Sequence, residues 1–394
     1  MTATSTAAPT SNVDLWSDEI LSDPYPTYAA LREQASVVYV PANDLYAVTR
    51  YEPIREALAD WETFSSVKVA FNDDMNAALS HTSLASDPPK HTPMRAALME
   101  NLSPRSLRPL KDDIDAKADA LVASLLDRPD VDLAKEIAKA FPISIVCDLI
   151  GVTGHVKENM LRWGEAAFNV LGPMNQRTIE NFPIAGELFG WVMGVKASDL
   201  TPGSMGRGVF DAADRGMIPH EAAAGIIHQY IAAGLDTTIA EIGNALHLFG
   251  THPDQYAKLR SNPELIPNAF NEVLRYYSAV HVWGRLVTKD VDIDGVTIPA
   301  GSQAGFIFAA GNRDPRHYDN PEAFDITRNA SDHLSFGYGV HGCAGQGLAR
   351  LEAHAVLAAL VKHVREYSVG EPVMTPSNTT RSIGSLPLTR LVKA

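Results

Sequence analysis

The chain has 394 residues, of which 45% are hydrophobic and 20% are charged, the ordinary composition of a globular protein with an ample core. Its 33 basic and 47 acidic residues leave a net charge of −14, so no overall basic field is present to hold a nucleic acid or an anionic membrane. Two cysteines cannot build a disulfide framework, and no apolar stretch has the length that a membrane helix needs. We therefore expect a soluble, cytoplasmic protein without nucleic-acid or membrane partners.

The amino-terminal third predicts a tail, a helix and a small sheet. Residues 1–20 begin with MTATSTAAPTSN, which lacks the cationic start and apolar core of a secretory signal, and we interpret them as a flexible tail before one domain over 21–394. The segment DPYPTYAALREQ predicts a helix opened by prolines, and SVVYVPANDLYAVTR alternates around a turn as a hairpin does. From Ser103 to Leu200 the apolar residues recur with a helical period.

The carboxy-terminal half is organised around one long helix. About thirty residues between Pro219 and Pro253 contain no proline and predict a single, largely buried helix. A shorter helix follows in PELIPNAFNEVLRYYSA, strands in RLVTKDVDIDGVTIPAGSQAGFIF, an irregular meander over 311–335 and a last helix from near Gly345. The pattern therefore predicts a mainly α single domain with a minor β region.

Cys343 lies in an unusual loop, FGYGVHGCAG. Four glycines allow the backbone to turn tightly and to point several N–H groups at one sulfur, and the following helix adds its positive end. Such surroundings stabilise a thiolate, the form of cysteine that binds iron. The alternative is a glycine-rich helix entry with an incidental cysteine.

The segment AGLDTT, residues 233–238, places poor helix formers inside the long helix. Gly, Asp and two Thr together disfavour helix by about 2 to 3 kcal/mol relative to alanine. Either a helix ends here with Asp236 as its N-cap, or the residues serve chemistry. An acid beside an alcohol in a locally opened helix can relay protons, which makes Asp236 and Thr237 a candidate catalytic pair.

Together these two segments resemble the cytochrome P-450 superfamily. The pattern Phe336-Gly337-x-Gly339-x-His341-x-Cys343-x-Gly345 matches the cysteine signature of that superfamily at every position, and the resemblance covers roughly residues 23–387. It implies a helix-rich, triangular single domain whose long central helix crosses a haem. It also implies a monooxygenase in which haem b takes the Cys343 thiolate as its iron ligand and O2 as cosubstrate, since thiolate ligation favours O–O cleavage.

The resemblance assigns roles to further residues around the haem. Small Ala233 and Gly234 leave room above it, Thr237 faces dioxygen, and Phe336 and Gly345 lie near the ligand sulfur. The haem propionates bind four side chains: His91, Arg95, Arg285 and His341. By spacing alone, the His91 and Arg95 pair also fits an ordinary exposed helix face.

Two departures from the common pattern affect the backbone around this site. Glu272 and Arg275 form a three-residue pair that by itself fits a surface helix, whereas the resemblance implies a buried pair that braces the meander. Many members carry an arginine where this chain has Ala323, so Arg328 is the candidate third partner. Members also commonly carry Ser-Pro before the strand of Arg285, where this chain has Ser278 and Ala279.

The resemblance also implies the residues of a substrate pocket. Each of them fits ordinary core equally well, but together they describe a compact apolar, aromatic-rich space for a small aromatic molecule. The set is Phe71, Phe168, Leu171, Ala233, Val280 and Trp283.

The segments FNVLGPMN and AAGLDTT resemble the bacterial branch that demethylates para-methoxybenzoates. The Arg and Ser that hold the substrate carboxylate there are replaced here, and only Lys68 or His228 remain to take their place. Because burying an unpaired carboxylate costs several kcal/mol, we expect O-demethylation of a neutral methoxyphenol of the guaiacol or alkylguaiacol type to a catechol and formaldehyde. A para-methoxybenzoate or another small hydrophobic substrate is the alternative.

The chain contains no Rossmann fingerprint, flavin site or iron–sulfur cysteine set. Electrons from NAD(P)H must therefore come from a partner, and the resemblance implies an iron–sulfur ferredoxin with a flavin reductase, separate or fused. Arg105, Arg108 and Lys111 form either a docking patch or a solvated helix face. A peroxide-driven hydroxylase and a non-catalytic haem-thiolate sensor are further alternatives, and neither has a use for the pair of Asp236 and Thr237.

Overall fold

The structure is a computed structural model that describes residues 7–394. Most of the chain is helical. The helices are α1 (Asp18–Ser22), α2 (Tyr25–Gln34), α3 (Tyr51–Ala59), α4 (Asp73–Leu79), α5 (His91–Leu102), α6 (Pro104–Leu107), α7 (Lys111–Leu125), α8 (Ala140–Ile150), α9 (His155–Asn169), α10 (Gln176–Gly194), α11 (Met205–Asp214), α12 (His220–Thr251), α13 (Pro253–Ser261), α14 (Ile266–Tyr276), α15 (Phe308–Gly311) and α16 (Gln346–His363). A π-helical stretch, Ala134–Lys139, leads into α8.

The strands are short and form one five-stranded sheet and three two-stranded ones. They are β1 (Val37–Val40), β2 (Leu45–Val48), β3 (Phe64–Ser65), β4 (Val282–Val287), β5 (Val291–Ile293), β6 (Val296–Ile298), β7 (Gln303–Ile307), β8 (Val364–Val369), β9 (Val373–Thr375), β10 (Ser382–Ser385) and β11 (Leu388–Lys393). The larger sheet has the order β1-β2-β7-β4-β3, and only the pairing of β2 with β7 is parallel.

The predicted architecture is confirmed in its main elements. The hairpin forms with Val37 opposite Val48, the long helix runs unbroken from His220 to Thr251, and the last helix starts directly after Gly345. Of the 32 residues of α12, 22 are buried, because the helix packs against neighbours on nearly all sides rather than along one stripe. At 1.5 Å per residue it is about 48 Å long.

The amino-terminal segment differs from the predicted flexible tail over residues 1–20. Residues 1–6 lie outside the described part of the chain. From there on the segment is packed: the backbone N–H of Tyr39 donates to the carbonyl of Pro9, and Leu15 and Trp16 are buried. The indole N–H of Trp16 donates to the carbonyl of Asn378 at 2.7 Å, and this buried hydrogen bond, together with apolar burial, holds the segment to the domain.

Helix α12 occupies the centre of the largest core cluster, which also includes side chains from α7, α8, α14 and α16. A second cluster lies under the larger sheet. Between residues 7 and 394, no single helix is long and apolar enough to cross a membrane, and one bent pair, Ala134–Ile150 with His155–Asn169, meets the length and composition test only when taken together.

Candidate active site

The cysteine loop holds its shape through backbone hydrogen bonds and two left-handed glycines. The N–H of Cys343 donates to the carbonyl of Phe336 at 2.7 Å. Gly337 and Gly339 have φ of 65° and 70°, values that favour glycine, and a Cβ on Gly339 would lie 2.6 Å from the carbonyl oxygen of Leu58. The loop therefore fixes the Cys343 sulfur at the start of α16.

The backbone N–H groups and cations around the Cys343 sulfur favour its thiolate, as the glycine pattern predicts, but on balance the thiol form is favoured. Burial raises the pKa of the Cys343 thiol most strongly; backbone N–H groups of Gly345 and Gln346 and the charges of Arg95 and Arg350 lower it, and the net pKa remains above the ordinary value. The predicted stabilisation of the thiolate is thus present but outweighed by burial. Metal coordination deprotonates such a thiol outright.

The four predicted propionate residues gather on one side of the cysteine loop. Arg95 donates to the carbonyl of Gly342, and Arg285 is buried with a pKa lowered to about 10, chiefly by burial. The rings of His91 and His341 are 4.6 Å apart. Across the described residues, neither arginine forms an ion pair with a carboxylate.

Asp87 lies among these groups. His341 Nε2 is 3.2 Å from its carboxylate, and Ser65 and the N–H of Ser66 donate to it as well. Burial acts to raise the pKa of Asp87, but these hydrogen bonds outweigh it and leave the pKa below its ordinary value. His91 Nε2 is buried and has no hydrogen-bond partner among residues 7–394, and burial lowers the pKa of His91 to about 4, so the ring is neutral.

Across the cavity from Cys343, α12 presents its small and hydroxyl side chains. Ala233, Gly234, Thr237 and Thr238 all line the cavity. The helix is not opened locally as the sequence predicts, because each hydroxyl donates to a carbonyl one turn earlier, Thr237 to Ala233 at 2.9 Å and Thr238 to Gly234 at 3.2 Å. These bonds keep the poor helix formers inside one continuous helix.

The structure separates the predicted catalytic pair. Thr237 faces the cavity, whereas the buried Asp236 is directed elsewhere, and its Oδ2 accepts a hydrogen bond from the Thr380 hydroxyl at 2.7 Å. Burial raises the pKa of Asp236 to about 6, against the lowering effect of that bond. Asp236 is therefore an acid that titrates near neutral pH, one residue away from the cavity wall.

The cavity between the cysteine loop and α12 has a volume of about 230 Å³. Of the predicted pocket residues, Phe168, Ala233, Val280 and Trp283 line it. Phe71 and Leu171 do not line it. The ring of Phe71 packs on the ring of Trp16, with centroids 4.6 Å apart, and Leu171 belongs to a core cluster that also contains Phe168. The N–H of Phe71 donates to the carbonyl of Leu171 at 2.8 Å. Apolar character alone could not tell these core positions from cavity positions.

Glu241 lines the same cavity and was not singled out from the sequence. Its Oε1 accepts a hydrogen bond from the N–H of Ala279 at 2.6 Å, while its Oε2 is buried and has no hydrogen-bond partner in the described part of the chain. Burial raises the pKa of Glu241 well above its ordinary value. The sequence signal that could have revealed Glu241 was Ala279. A proline at that position has no N–H to donate, whereas the alanine supplies a buried donor that needs an acceptor.

The candidate replacements for a carboxylate clamp do not line the cavity. Lys68 pairs with Asp73 at 3.6 Å on the surface. His228 stacks on Phe189 with ring centroids 4.5 Å apart, and burial lowers its pKa to about 4, so it is uncharged. The lysine and arginine side chains that line the cavity are Arg95 and Arg285, which belong to the group beside the cysteine loop.

Glu272 and Arg275 form a buried pair rather than a surface one. Both side chains are fully buried, and the guanidinium donates to both carboxylate oxygens at 2.7 and 2.8 Å. Arg275 also donates to carbonyls of Asn312, Pro321 and Ala323 in the meander. The third partner is Arg328, whose Nε lies 3.4 Å from Glu272 Oε1.

These features define a class: a helical protein with one cysteine sulfur facing a large cavity under a helix that carries hydroxyl groups. Comparison with known proteins identifies the class more closely. The sequence profile of the Cytochrome P450 family matches residues 211–393. The chain is 35% identical to cytochrome p450 CYP199A2 of Rhodopseudomonas palustris over 95% of this chain and 93% of that protein, and 31% identical to the monooxygenase PikC of Streptomyces venezuelae over 98% and 95%.

Solved structures agree with the sequence comparisons. P450BioI in complex with a hexadec-9Z-enoic acid ligated acyl carrier protein superposes with a TM-score of 0.85 at 27% identity, over 94% of this chain and 98% of that one. Cytochrome P450 CREJ in complex with (4-ethylphenyl) dihydrogen phosphate has the same TM-score at 28% identity, over 94% and 97%.

The chain belongs to the cytochrome P450 family. It is a haem-thiolate monooxygenase that uses O2 and electrons from a redox partner. The residues around the cavity fit that cofactor: a sulfur donor at one wall, an unpartnered buried His91 nitrogen, and two arginines without a carboxylate partner among the described residues, as a group with two propionates requires.

Proposed function

We propose that this protein removes the methyl group from a neutral methoxyphenol of the guaiacol or alkylguaiacol type, giving a catechol and formaldehyde. The observation that carries the proposal is the charge of the cavity. Among the described residues, the lysine and arginine side chains in the cavity wall are Arg95 and Arg285 beside the cysteine loop, which this proposal assigns to the haem propionates. A benzoate would therefore find no free cation in this wall, and an unpaired buried carboxylate costs several kcal/mol.

In this proposal Cys343 is the iron ligand, with Phe336 and Gly345 shaping the space around its sulfur. His91, Arg95, Arg285 and His341 hold the propionates. When bound, the haem supplies the activation of O2 and the oxidation of a C–H bond. The small side chains of Ala233 and Gly234 leave space for O2 between α12 and the sulfur.

The apolar wall sets which bond is oxidised. Phe168, Val280 and Trp283 line the cavity together with Ala233, and rigid aromatic faces orient a flat substrate so that one group lies near the reacting centre. Cytochrome P450 CREJ was solved in complex with (4-ethylphenyl) dihydrogen phosphate, and the para-alkylated ring of that ligand supports such a ring as a suitable shape for this fold, although the ligand also carries a phosphate group. Regioselectivity is then a matter of orientation rather than of a side chain that touches the reacting carbon.

Thr237 and Asp236 supply protons in this proposal. The Thr237 hydroxyl is the one predicted catalytic group that faces the cavity, so it holds the proton at the position where O2 binds. Asp236 is the adjacent acid whose pKa of about 6 lets it both give and take a proton at neutral pH. A peroxide-driven enzyme or a sensor has no use for this pair.

We further propose a cytoplasmic location and an iron–sulfur ferredoxin with a flavin reductase as the partner that delivers electrons from NAD(P)H. Arg105, Arg108 and Lys111 are exposed on α6, its 3₁₀ extension and the first turn of α7. In a protein of net charge −14 this local basic patch is a suitable site for an acidic partner, because complementary charge steers association.

The test is a substrate panel that compares 4-alkylguaiacols with 4-methoxybenzoate. We expect the guaiacols to produce the larger spin shift of the haem at lower concentration, and to release formaldehyde in proportion to NADH consumed with ferredoxin and reductase. Tighter binding and faster demethylation of 4-methoxybenzoate would overturn the substrate assignment. Turnover on hydrogen peroxide alone at the rate of the complete system would overturn the assignment of a reductase-dependent enzyme, and NADH consumption without any product would support a sensor.

A further inference from the structure

The Asp236 carboxyl group is connected to hydroxyl groups on the carboxy-terminal segment. Thr380 Oγ1 lies 2.7 Å from Asp236 Oδ2, and Ser377 Oγ lies 2.9 Å from Thr380 Oγ1. Both hydroxyl residues are buried. Because a hydroxyl carries one hydrogen and two lone pairs, the Thr380 hydroxyl donates either to Asp236 Oδ2 or to Ser377 Oγ and so connects the two oxygens.

The backbone fixes these hydroxyl groups in place. Ser377 Oγ accepts the N–H groups of Thr379 and Thr380 at 3.4 and 3.2 Å. Thr380 forms a bridge to Val280, and the N–H of Arg381 donates to the carbonyl of Ala279 at 2.8 Å. The segment is therefore tied to the same backbone that lines the active-site cavity, and the two oxygens keep their spacing without side-chain freedom.

Ser377 and Thr380 also line a second cavity, of about 150 Å³, whose lining differs from that of the active-site cavity. Its wall includes Trp16 from the packed amino-terminal segment, and its rim includes exposed Asp18 and Ser22. The three oxygens of Ser377, Thr380 and Asp236 thus form a continuous line from a cavity that reaches the surface to the residue before Thr237.

We propose that Ser377 and Thr380 conduct protons from this second cavity to Asp236, and that Thr380 is the positioning residue for the Asp236 carboxyl group. The inference rests on the proposed role of Asp236 and Thr237. A monooxygenase turnover combines one substrate, one O2, two electrons and two protons into one oxidised product and one water. For each proton delivered, Ser377 accepts a proton from the second cavity and gives its own hydroxyl proton to Thr380. Thr380 in turn gives its hydroxyl proton to Asp236, so both hydroxyl groups are neutral again after the transfer.

The charges around Asp236 agree with this direction of supply. The charged groups that act on it are Glu165 of α9 and Lys139 of the π-helical stretch, and these two pair with each other at 3.6 Å. Thr380 is the side chain that donates a hydrogen bond to Asp236 Oδ2. Asp236 consequently exchanges its proton with Thr380 rather than with a neighbouring ion pair.

The test replaces Thr380 by valine, which keeps the side-chain shape and removes the hydroxyl. Thr379→Val is the matched control, since the Thr379 hydroxyl is equally buried but donates to the carbonyl of Phe168 at 2.8 Å. We expect Thr380→Val to raise the pKa of Asp236 by about one unit, because a hydrogen bond to the charged form is lost. Infrared difference spectra of the resting haem-loaded protein, assigned with Asp236→Asn, measure this without turnover.

In turnover with ferredoxin and reductase we expect Thr380→Val to release severalfold more hydrogen peroxide per NADH and to show a larger solvent isotope effect on product formation. Ser377→Ala should show the same increase in isotope effect with a smaller change in the pKa of Asp236. Thr379→Val should match the wild type in each measurement.

Two results would overturn the inference: an unchanged pKa of Asp236 in Thr380→Val, or a solvent isotope effect equal to that of Thr379→Val. If Thr237→Ala couples NADH to product as well as the wild type does, the underlying relay is wrong. If Thr237→Ala is uncoupled while Thr380→Val is not, only the supply path is wrong.

Discussion

At the scale of single residues, the position of the Cys343 sulfur depends on two glycines of the cysteine loop, Gly337 and Gly339, which have no Cβ. Gly339 has a positive φ and faces the carbonyl of Leu58 so closely that a Cβ would lie 2.6 Å from it, a contact that real side chains do not make. Gly337 shares the left-handed backbone. The backbone conformation therefore favours glycine at both positions, and at Gly339 there is also no room for a side chain. The position of the sulfur depends on this loop conformation.

The first prediction concerns the iron ligand. Cys343→Ala removes the sulfur that faces the cavity, so we expect the ferrous CO complex to lose the absorption band of thiolate-ligated haem. Cys147→Ala is the control, because Cys147 is a buried core residue whose thiol has its pKa raised to about 11 by burial. A normal band in Cys343→Ala would contradict the ligand assignment.

The second prediction concerns Thr237. Thr237→Ala removes the cavity-facing hydroxyl and puts a good helix former in the continuous helix α12, so we expect a stable protein in which product per NADH falls severalfold and hydrogen peroxide rises. Thr237→Ser keeps a hydroxyl and should restore most of the coupling. Coupling that is equal in the alanine and serine variants would argue against a proton role.

The third prediction follows from the pKa of Asp236. Burial raises it from 3.8 to about 6, so the folded protein keeps this proton between about pH 4 and pH 6 while the unfolded chain loses it. Stability from this group is therefore full below pH 4 and falls as pH rises through that window, by about 3 kcal/mol. We expect Asp236→Asn to remove that part of the pH dependence, measured as the difference in unfolding free energy from wild type at pH 4 and pH 7. A difference independent of pH would contradict the raised pKa.

At the scale of elements, helix α14 is fastened to the meander by Arg275. Its guanidinium binds Glu272 in the same helix and three backbone carbonyls of the meander, and the N–H of Asp325 returns a hydrogen bond to Glu272 at 3.0 Å. The Arg275 guanidinium therefore makes two hydrogen bonds within α14 and three to the meander. The meander, and with it the approach to the cysteine loop, therefore depends on one fully buried ion pair.

The fourth prediction compares this buried pair with an exposed one. Arg275→Met leaves Glu272 and three carbonyls without their partner, and we expect a loss of about 3 to 5 kcal/mol of unfolding free energy, as for a broken buried pair. Arg215→Met breaks an exposed pair with Glu100, 2.9 Å apart, and should cost about 0 to 1 kcal/mol. Denaturant midpoints of both variants provide the measurement, and equal losses would contradict the bracing role.

At the scale of the whole molecule, the cavity is assembled from distant parts of one chain. Its wall combines α5, α12, the segment before β4 and the cysteine loop, and the amino-terminal segment closes the second cavity through Trp16. Helix α12 positions all of these parts because it is buried along most of its length. The exposed basic patch at 105–111 stands out against the acidic remainder of the protein.

The fifth prediction concerns that patch. Reversing Arg105 and Arg108 to glutamate should raise the ferredoxin concentration needed for half-maximal turnover by about tenfold at low salt, and by less as ionic strength rises, since exposed charges are screened. The same reversal at Arg365 and Arg390, exposed on β8 and β11, is the control. Equal effects from both pairs would assign the change to net charge rather than to docking at this patch.

The sequence by itself determined the features that depend on local spacing. The helical period predicted the uninterrupted α12, alternation predicted the hairpin of β1 and β2, and the glycines around Cys343 predicted a sulfur held by a tight loop. These are properties of neighbouring residues, because backbone conformation and side-chain direction repeat over a few positions. The cysteine pattern also pointed to the family before any tertiary contact was known.

Only the tertiary structure decided what lies against each of these elements. It packed residues 7–20 onto the domain, placed Phe71 and Leu171 in the core instead of the cavity, and turned Asp236 toward Thr380, 144 residues away. It also buried Glu241 in the cavity wall with a raised pKa. Burial, pKa and cavity lining arise from contacts between segments that are distant in the chain, and the spacing of residues along a sequence does not contain those contacts.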